Sequence, residues 1–237
     1  MDYQKLKSGS DVRGVAVGPD AVLTEDVART LGMAFARHLC EKLHKLPHEV
    51  TIAVGRDSRI SGPALLKATE AGLCAWGCQV LNYEMCTTPA MYMSILTEGF
   101  QPDGAIMLTA SHHPYNLNGL KFFTAEGGLS FEELDEVLAL AAANGRSPAS
   151  TGAIEDRPFL PAYEEHLKQL IRNGINPEVQ MPLLGLHVIV DAGNGAGGFY
   201  AKMLESLGAW VEGSQFLEPD GMFPNHIPNP ENEQAMQ

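Results

Sequence analysis

Apolar residues recur along the chain at two periods, and the alternation between them predicts an α/β protein. Val27, Leu31, Phe35, Leu39 and Leu43 fall four apart. That spacing predicts a helix with one buried stripe, started by Thr24 as cap and by Glu25 and Asp26 in the first turn. Residues 50–54 (Val-Thr-Ile-Ala-Val) read as a β-branched strand, 63–76 as a helix, 79–83 as a strand and 87–96 as a helix. Residues 103–108 predict a buried strand, and 122–124 the start of another. Ser130-Phe-Glu-Glu133 is a capping box leading a helix that turns Leu134, Val137, Leu138 and Ala141 inward. Residues 144–158 mix Gly, Ser, Pro and charge without a period, so a boundary is expected there between units 1–150 and 158–237. The second unit reads as a helix around 163–171, a strand at 186–190, a helix ending near Leu207 and a strand closed by Glu212. The fold class predicted is two consecutive three-layer α/β/α units with mixed, mainly parallel sheets.

With 237 residues the chain can bury a sizeable core, and 45% hydrophobic residues exclude a disordered protein. The formal net charge of −13 argues against nucleic acid and anionic membranes as partners, while leaving room for a local cationic pocket. Cys40, Cys74, Cys78 and Cys86 lie in apolar segments without a Cys-x-x-Cys pair and read as buried free thiols. His38, His44 and His48 read as surface or rim residues, because no carboxylate or Cys joins them at ligand spacing. The opening residues have no apolar core of a signal peptide, and no stretch is long enough to span a bilayer. A cytoplasmic setting is expected.

The densest polar stretch follows the strand at 103–108: Thr109-Ala-Ser-His-His-Pro-Tyr-Asn-Leu-Asn-Gly-Leu-Lys-Phe122. Ser111 is expected on a loop leaving the carboxyl end of that strand, where open α/β sheets bind ligands. Gly119 would let the backbone approach a ligand, and Lys121 returns a cation to the loop. A Ser-His-Asp hydrolase fits poorly, since an adjacent His does not easily turn onto the preceding hydroxyl and Gly-x-Ser-x-Gly is absent. Phosphoryl chemistry on Ser111 fits better.

This loop resembles the phosphoserine loop of the α-D-phosphohexomutases, the phosphoglucomutase/phosphomannomutase superfamily. It departs from the family in having His113 where Asn is more frequent. Ser8-Gly-Ser-Asp-Val-Arg-Gly14 resembles the family's opening Ser-Gly-Ile-Arg-Gly loop, and Gly55-Arg-Asp-Ser-Arg-Ile-Ser-Gly62 its Gly-Arg-Asp-x-Arg block. The resemblance implies that Ser111 carries a phosphoryl group and that Arg13 holds phosphate oxygens, with Ser10 and Lys121 as further phosphate or substrate contacts. Lys121 becomes the general acid/base, His112 orients the loop, and Arg56 and Asp57 support it from behind. It also implies Mg²⁺ bound to Ser111 through its phosphate, with hexose phosphates and hexose 1,6-bisphosphate as partners. Asp220-Gly-Met-Phe-Pro-Asn-His-Ile-Pro-Asn-Pro-Glu231 resembles the family segment leading toward the magnesium loop, Asp-Gly-Asp-x-Asp-Arg, which has no counterpart here. The expectation is an N-terminal half, inactive alone, of an enzyme interconverting hexose 1- and 6-phosphates.

Two alternatives remain open on the residues. Gly193, Gly195 and Gly198 satisfy Gly-x-Gly-x-x-Gly after a strand, and with Glu212 they would suit a nucleotide-dependent oxidoreductase. The chain could also be a phosphosugar-binding module without catalysis.

Overall fold

The structure is a computed structural model, and it describes residues 1–143, 151–229 and 231–233. An antiparallel hairpin opens the chain, β1 (Lys7–Ser8) and β2 (Asp11–Val15). There follow α1 (Glu25–Leu43), β3 (Thr51–Arg56), α2 (Gly62–Trp76), β4 (Gln79–Met85), α3 (Thr88–Leu96) and β5 (Gly104–Leu108). Then come β6 (Leu117–Thr124), β7 (Gly127–Gly128), α4 (Phe131–Ala143), β8 (Ile154–Asp156), α5 (Leu160–Ile175) and α6 (Phe199–Ser206).

The sheet order is β1-β2-β6-β5-β3-β4-β8, with β7 on β6. It is parallel from β5 through β3 and β4 to β8, and antiparallel through β6, β2 and β1. Side chains alternate across it as the pleat requires. Ile52, Val54, Ile106, Leu108 and Phe122 join a core with α1, α2 and α4. Ala53, Ala105, Met107 and Phe123 join a core on the other face with α3 and α5. The unit is therefore a three-layer α/β/α sandwich.

Local signals explain the elements. Thr24 and Thr87 cap α1 and α3, accepting from Val27 N–H and Ala90 N–H. Gly77, at φ 101, ends α2 in the left-handed conformation that favours glycine. Ser130 and Glu133 exchange the two hydrogen bonds of the expected capping box. The four cysteines are buried free thiols, as their apolar settings predict.

Differences from the sequence reading are local. The segment expected as an opening loop is a hairpin, so Arg13 lies on β2, and Ser10 in the tight turn. β6 begins at Leu117, which puts Asn118, Gly119 and Lys121 in a strand rather than a loop. Gly119 serves strand packing: a β-carbon there would meet Val12 O at 2.3 Å and Thr109 O at 2.8 Å. His38 is buried against Glu136, Nδ1 to Oε2 3.3 Å, rather than at the surface. Burial lowers its pKa, with Glu136 opposing.

The expected boundary at 144–158 lies partly outside the described residues. Residues 154–156, as β8, pair in parallel with β4 and so extend the first sheet. Beyond them, residues 186–192 and 210–216 run parallel, with Val188 N–H donating to Trp210 O and Gln215 N–H to Val190 O, both 2.9 Å. The expected strands at 186–190 and up to Glu212 are thus reduced to isolated bridges. Parallel pairs hold when both faces are covered, and here Leu186, Ile189 and Trp210 remain exposed. Leu183, Leu207 and Ala209 form a small separate core. Among the described residues no helix is long and apolar enough to cross a membrane.

Candidate functional site

Strands β3, β4 and β5 run parallel, with Arg56 in register with both Met85 and Leu108, so their carboxyl ends share one edge. The chain reverses direction across the sheet between β4 and β5, the arrangement that opens a crevice at strand ends. The loops leaving all three strands line a cleft of about 400 Å³ there, with Ser111 on one side and the 191–197 turn opposite.

Ser111 follows β5, exposed, with φ 55, a left-handed backbone uncommon outside glycine. Both of its backbone polar groups are held. Its N–H donates to Thr109 Oγ1 at 3.0 Å, and Thr109 donates to Asp57 Oδ2 at 2.7 Å. Its carbonyl accepts from Arg59 Nη2 at 2.8 Å. Arg59 is fully buried and all its N–H groups are used. Nε donates to Asp57 (3.2 Å), Nη2 also to His113 O (2.7 Å), and Nη1 to Pro114 O (2.6 Å) and Leu117 O (2.9 Å). One guanidinium therefore fixes four carbonyls of the serine loop. Burial pushes the Asp57 carboxyl up and the Arg59 guanidinium down, each opposed by the other's charge. The ion pair that supports the loop from behind is Arg59–Asp57. Arg56 instead donates to the Asp57 carbonyl at 3.0 Å.

The Ser111 side chain meets His112, with Oγ and Nδ1 3.2 Å apart. The sequence argument against such a contact fails because the left-handed backbone at Ser111 folds the following ring beside the hydroxyl. His113 stacks on His112 with centroids 4.8 Å apart and takes a hydrogen bond from Arg13 Nη1 at 3.0 Å. Arg13 has only donors, so His113 Nε2 is unprotonated there. Burial, then the Arg13 charge, lowers the His113 pKa accordingly. Asp11 is buried between two cations: Oδ2 accepts from Arg13 at 3.2 Å and Oδ1 from Lys121 at 2.7 Å. The β2–β6 register brings these residues together, with Val12 opposite Leu120. Two cations against one anion leave a net positive charge beside the serine loop.

The opposite wall includes Asp191, Gly193 and His226. Asp191 Oδ1 meets His226 Nε2 at 3.1 Å, and His226 Nδ1 meets Ile227 O at 2.9 Å. Two acceptors on one ring call for both nitrogens protonated. The His226 pKa is raised, by the Ile227 carbonyl and then by Asp191. Burial alone would raise Asp191, but bonds from His226, Gly193 N–H and Gln215 outweigh it and hold the carboxyl low. Packing accounts for two fingerprint glycines. Gly193 has φ 51 and lies on the His226 ring, and a β-carbon on Gly198 would meet Leu217 O at 1.9 Å. Glu212 faces solvent.

Ser111, His112, Arg13, Lys121, Arg56 and Asp57 thus surround one strand edge, with Ser10 in the nearby hairpin turn. Asp11, Thr109 and Arg59, which were not singled out from the sequence, hold them together with His113, noted there only as a departure from the family loop. Only the second Arg of Gly55-Arg-Asp-Ser-Arg offered a signal. Among the described residues no three His, Cys, Asp or Glu side chains gather to hold a metal. The donor set here does not fit Mg²⁺, which needs several oxygen ligands.

Comparison with known proteins gives the same reading across both halves. Residues 4–147 match the family model "Phosphoglucomutase/phosphomannomutase, alpha/beta/alpha domain I", and residues 161–237 match domain II. A phosphoglucomutase of Neisseria gonorrhoeae is 34% identical over 229 residues, 96% of this chain and 45% of that protein. A phosphomannomutase/phosphoglucomutase of Pseudomonas aeruginosa is 37% identical over 222 residues, 93% of this chain and 43% of that protein. The solved structure of a phosphoglucomutase/phosphomannomutase family protein from Burkholderia thailandensis superposes with TM-score 0.81 at 28% identity, covering 100% of this chain and 49% of that one. The chain spans about half the length of these relatives. Matched in both of its domains, it belongs to the phosphoglucomutase/phosphomannomutase family.

Proposed function

We propose that this chain supplies the phosphoryl-carrying serine of a mutase that interconverts hexose 1-phosphate and hexose 6-phosphate. The observation that carries the reading is Ser111 itself: an exposed hydroxyl at the sheet switch point, held through its own backbone beside a net positive cluster. In the reaction, phospho-Ser111 gives its phosphoryl group to the free hydroxyl of a hexose monophosphate. The products are the serine hydroxyl and a hexose 1,6-bisphosphate. Return of the other phosphoryl group to Ser111 releases the isomeric monophosphate and regenerates the phosphoserine.

Arg13 is assigned to the phosphate oxygens, and Ser10 to the substrate beside it. Lys121 is assigned the proton of the Ser111 oxygen, with Asp11 anchoring its ammonium group. His112 orients the hydroxyl, while Asp57 and Arg56 support the loop from beneath. Mg²⁺ would supply charge neutralisation to the transferring group; its protein ligands are not gathered here. Residues 1–150 form the serine-bearing domain of this reading and residues 158–237 the start of the next.

Intact-mass spectrometry after incubation with glucose 1,6-bisphosphate tests it. The chain should gain one phosphoryl group, and Ser111→Ala should not. No gain in the natural chain, or a gain that survives Ser111→Ala, overturns the assignment. Residues 1–237 alone should take up that single phosphoryl group slowly, over hours, and should not turn over hexose phosphates, because rapid repeated transfer depends on positioning and charge stabilisation from more groups than gather here. Sustained conversion of glucose 1-phosphate, absent in Ser111→Ala, would contradict that.

A further inference from the structure

The segment 220–224 resembles a family motif, yet none of the chemistry above uses it. It docks on the turn after β3. Gly221 forms a parallel bridge with Arg59, and a β-carbon on Gly221 would meet Ser58 O at 2.3 Å and Ile60 N at 2.4 Å. The two backbones therefore touch with no room for a side chain. Two residues on, the Phe223 ring lies over the Arg59 guanidinium, with the centroid 5.2 Å from Cζ. Phe223 takes φ 51, a left-handed backbone that is a true outlier for an aromatic residue. Such strain persists only where surrounding contacts over-determine it, and Gly221 on one side and the cation on the other supply them.

Arg59 thus works as a plate. Its edges hold the carbonyls of Ser111, His113, Pro114 and Leu117, and one face carries Phe223. A shift of residues 220–224 must move either the ring or the plate. Moving the plate moves four carbonyls of the serine loop, including that of Ser111.

We propose that Phe223, seated by Gly221, is a positioning residue that acts through Arg59 to fix the Ser111 loop, so that the second half of the chain sets the geometry of the reacting serine. The consequence for phosphoryl transfer rests on the mutase reading; the mechanical link does not. Phe223 reads here as part of the serine site, although 112 positions separate it from Ser111 in the chain (223 − 111).

Amide hydrogen exchange on the full chain tests the link, with Phe223→Leu (apolar bulk without a π face) and Phe223→Tyr (face retained). The Ser111 and His113 amides, bonded to Thr109 Oγ1 and Ala110 O, report on the loop. In Phe223→Leu they should exchange on the order of fivefold to tenfold faster, with α1 unchanged, matching the loss of a half-buried cation–π contact, between the exposed and the desolvated cases. Phospho-Ser111 formation from glucose 1,6-bisphosphate should slow in parallel, and Phe223→Tyr should restore both. Loop exchange in Phe223→Leu within about twofold of the natural chain overturns the proposal, as does Phe223→Tyr loosening the loop equally. Should Phe223→Leu loosen α1 as well, Phe223→Met, whose flexible thioether refills apolar space, takes over the comparison. If the natural chain takes up no phosphoryl group, the mutase reading fails while the exchange data still decide the link.

Discussion

A buried guanidinium is tolerated only when its N–H groups are matched, and Arg59 shows how one residue can organise a loop by that requirement. The same logic of matched partners governs the Asp191–His226 pair across the cleft, where it becomes dependent on pH. His226 has its pKa raised by folding, so its contribution is complete below about pH 6.5, the ordinary imidazole value, and fades as pH rises through the raised value. Asp191 is held low, so its contribution is complete above the ordinary carboxylate value of 3.8 and fades as pH falls through the depressed one. The pair should hold best between those values. Thermal unfolding measured from pH 6 to pH 8 should show a decline that His226→Gln removes; an unchanged decline in the variant would assign it to other groups. At this scale the sequence revealed the residues that protrude and concealed those that hold them. Ser111, Lys121 and Arg13 stand in motifs dense with polar residues. Asp11 reaches Lys121 only through strand register, 110 positions along the chain, and no local pattern encodes that.

Among elements, α1 and α2 approach each other backbone to backbone. A β-carbon on Gly72 would meet Arg29 O at 2.0 Å, and one on Gly32 would meet Thr69 O at 2.6 Å. These two glycines let the helix backbones touch and set their separation above the sheet. Gly72→Ala should force them apart and cost about 1–3 kcal/mol, the range for overpacking, although alanine is the better helix former. Urea denaturation checks this, and a neutral or stabilising result would contradict the contact. The helices were legible because caps and four-residue stripes are local signals: Thr24, Thr87 and Ser130 each open the element expected of them. The elements read incorrectly carry their signal elsewhere. The hairpin at 7–15 looks like a loop because Gly9, Ser10 and Gly14 mask two short strands. The stretch at 186–190 has strand composition, but strand state also needs covered faces, which a local window cannot report.

Across the whole molecule, order should follow coverage. Val54 and Ile106 lie in central strands with no solvent exposure, whereas residues 186–190 and 210–216 are joined by single bridges beneath exposed Leu186, Ile189 and Trp210. Amides of β3 and β5 should therefore exchange only through global unfolding, and those of Val188 and Gln215 through local opening. Exchange at Val188 as slow as at Val54 would show that the second half shares the cooperativity of the first. The large sheet was foreseeable from its alternating strands and helices. Its extension by β8 was not, since three exposed residues after a stretch without period carry no strand signal.

That extension bears on how the molecule keeps to itself. β4 is seven residues long and, without β8, would be an outer strand offering a row of unpaired backbone groups to any other chain. β8 covers Val80–Asn82 of that row with three residues, locked where Gly152 passes too close to Cys78 O for any side chain, and the opposite border, β1, has only two. Both borders of the sheet are thus too short to template the addition of a stranger. A bulkier residue at Gly152 would lift β8 away and turn the β4 border into a surface on which copies of the chain stack and aggregate.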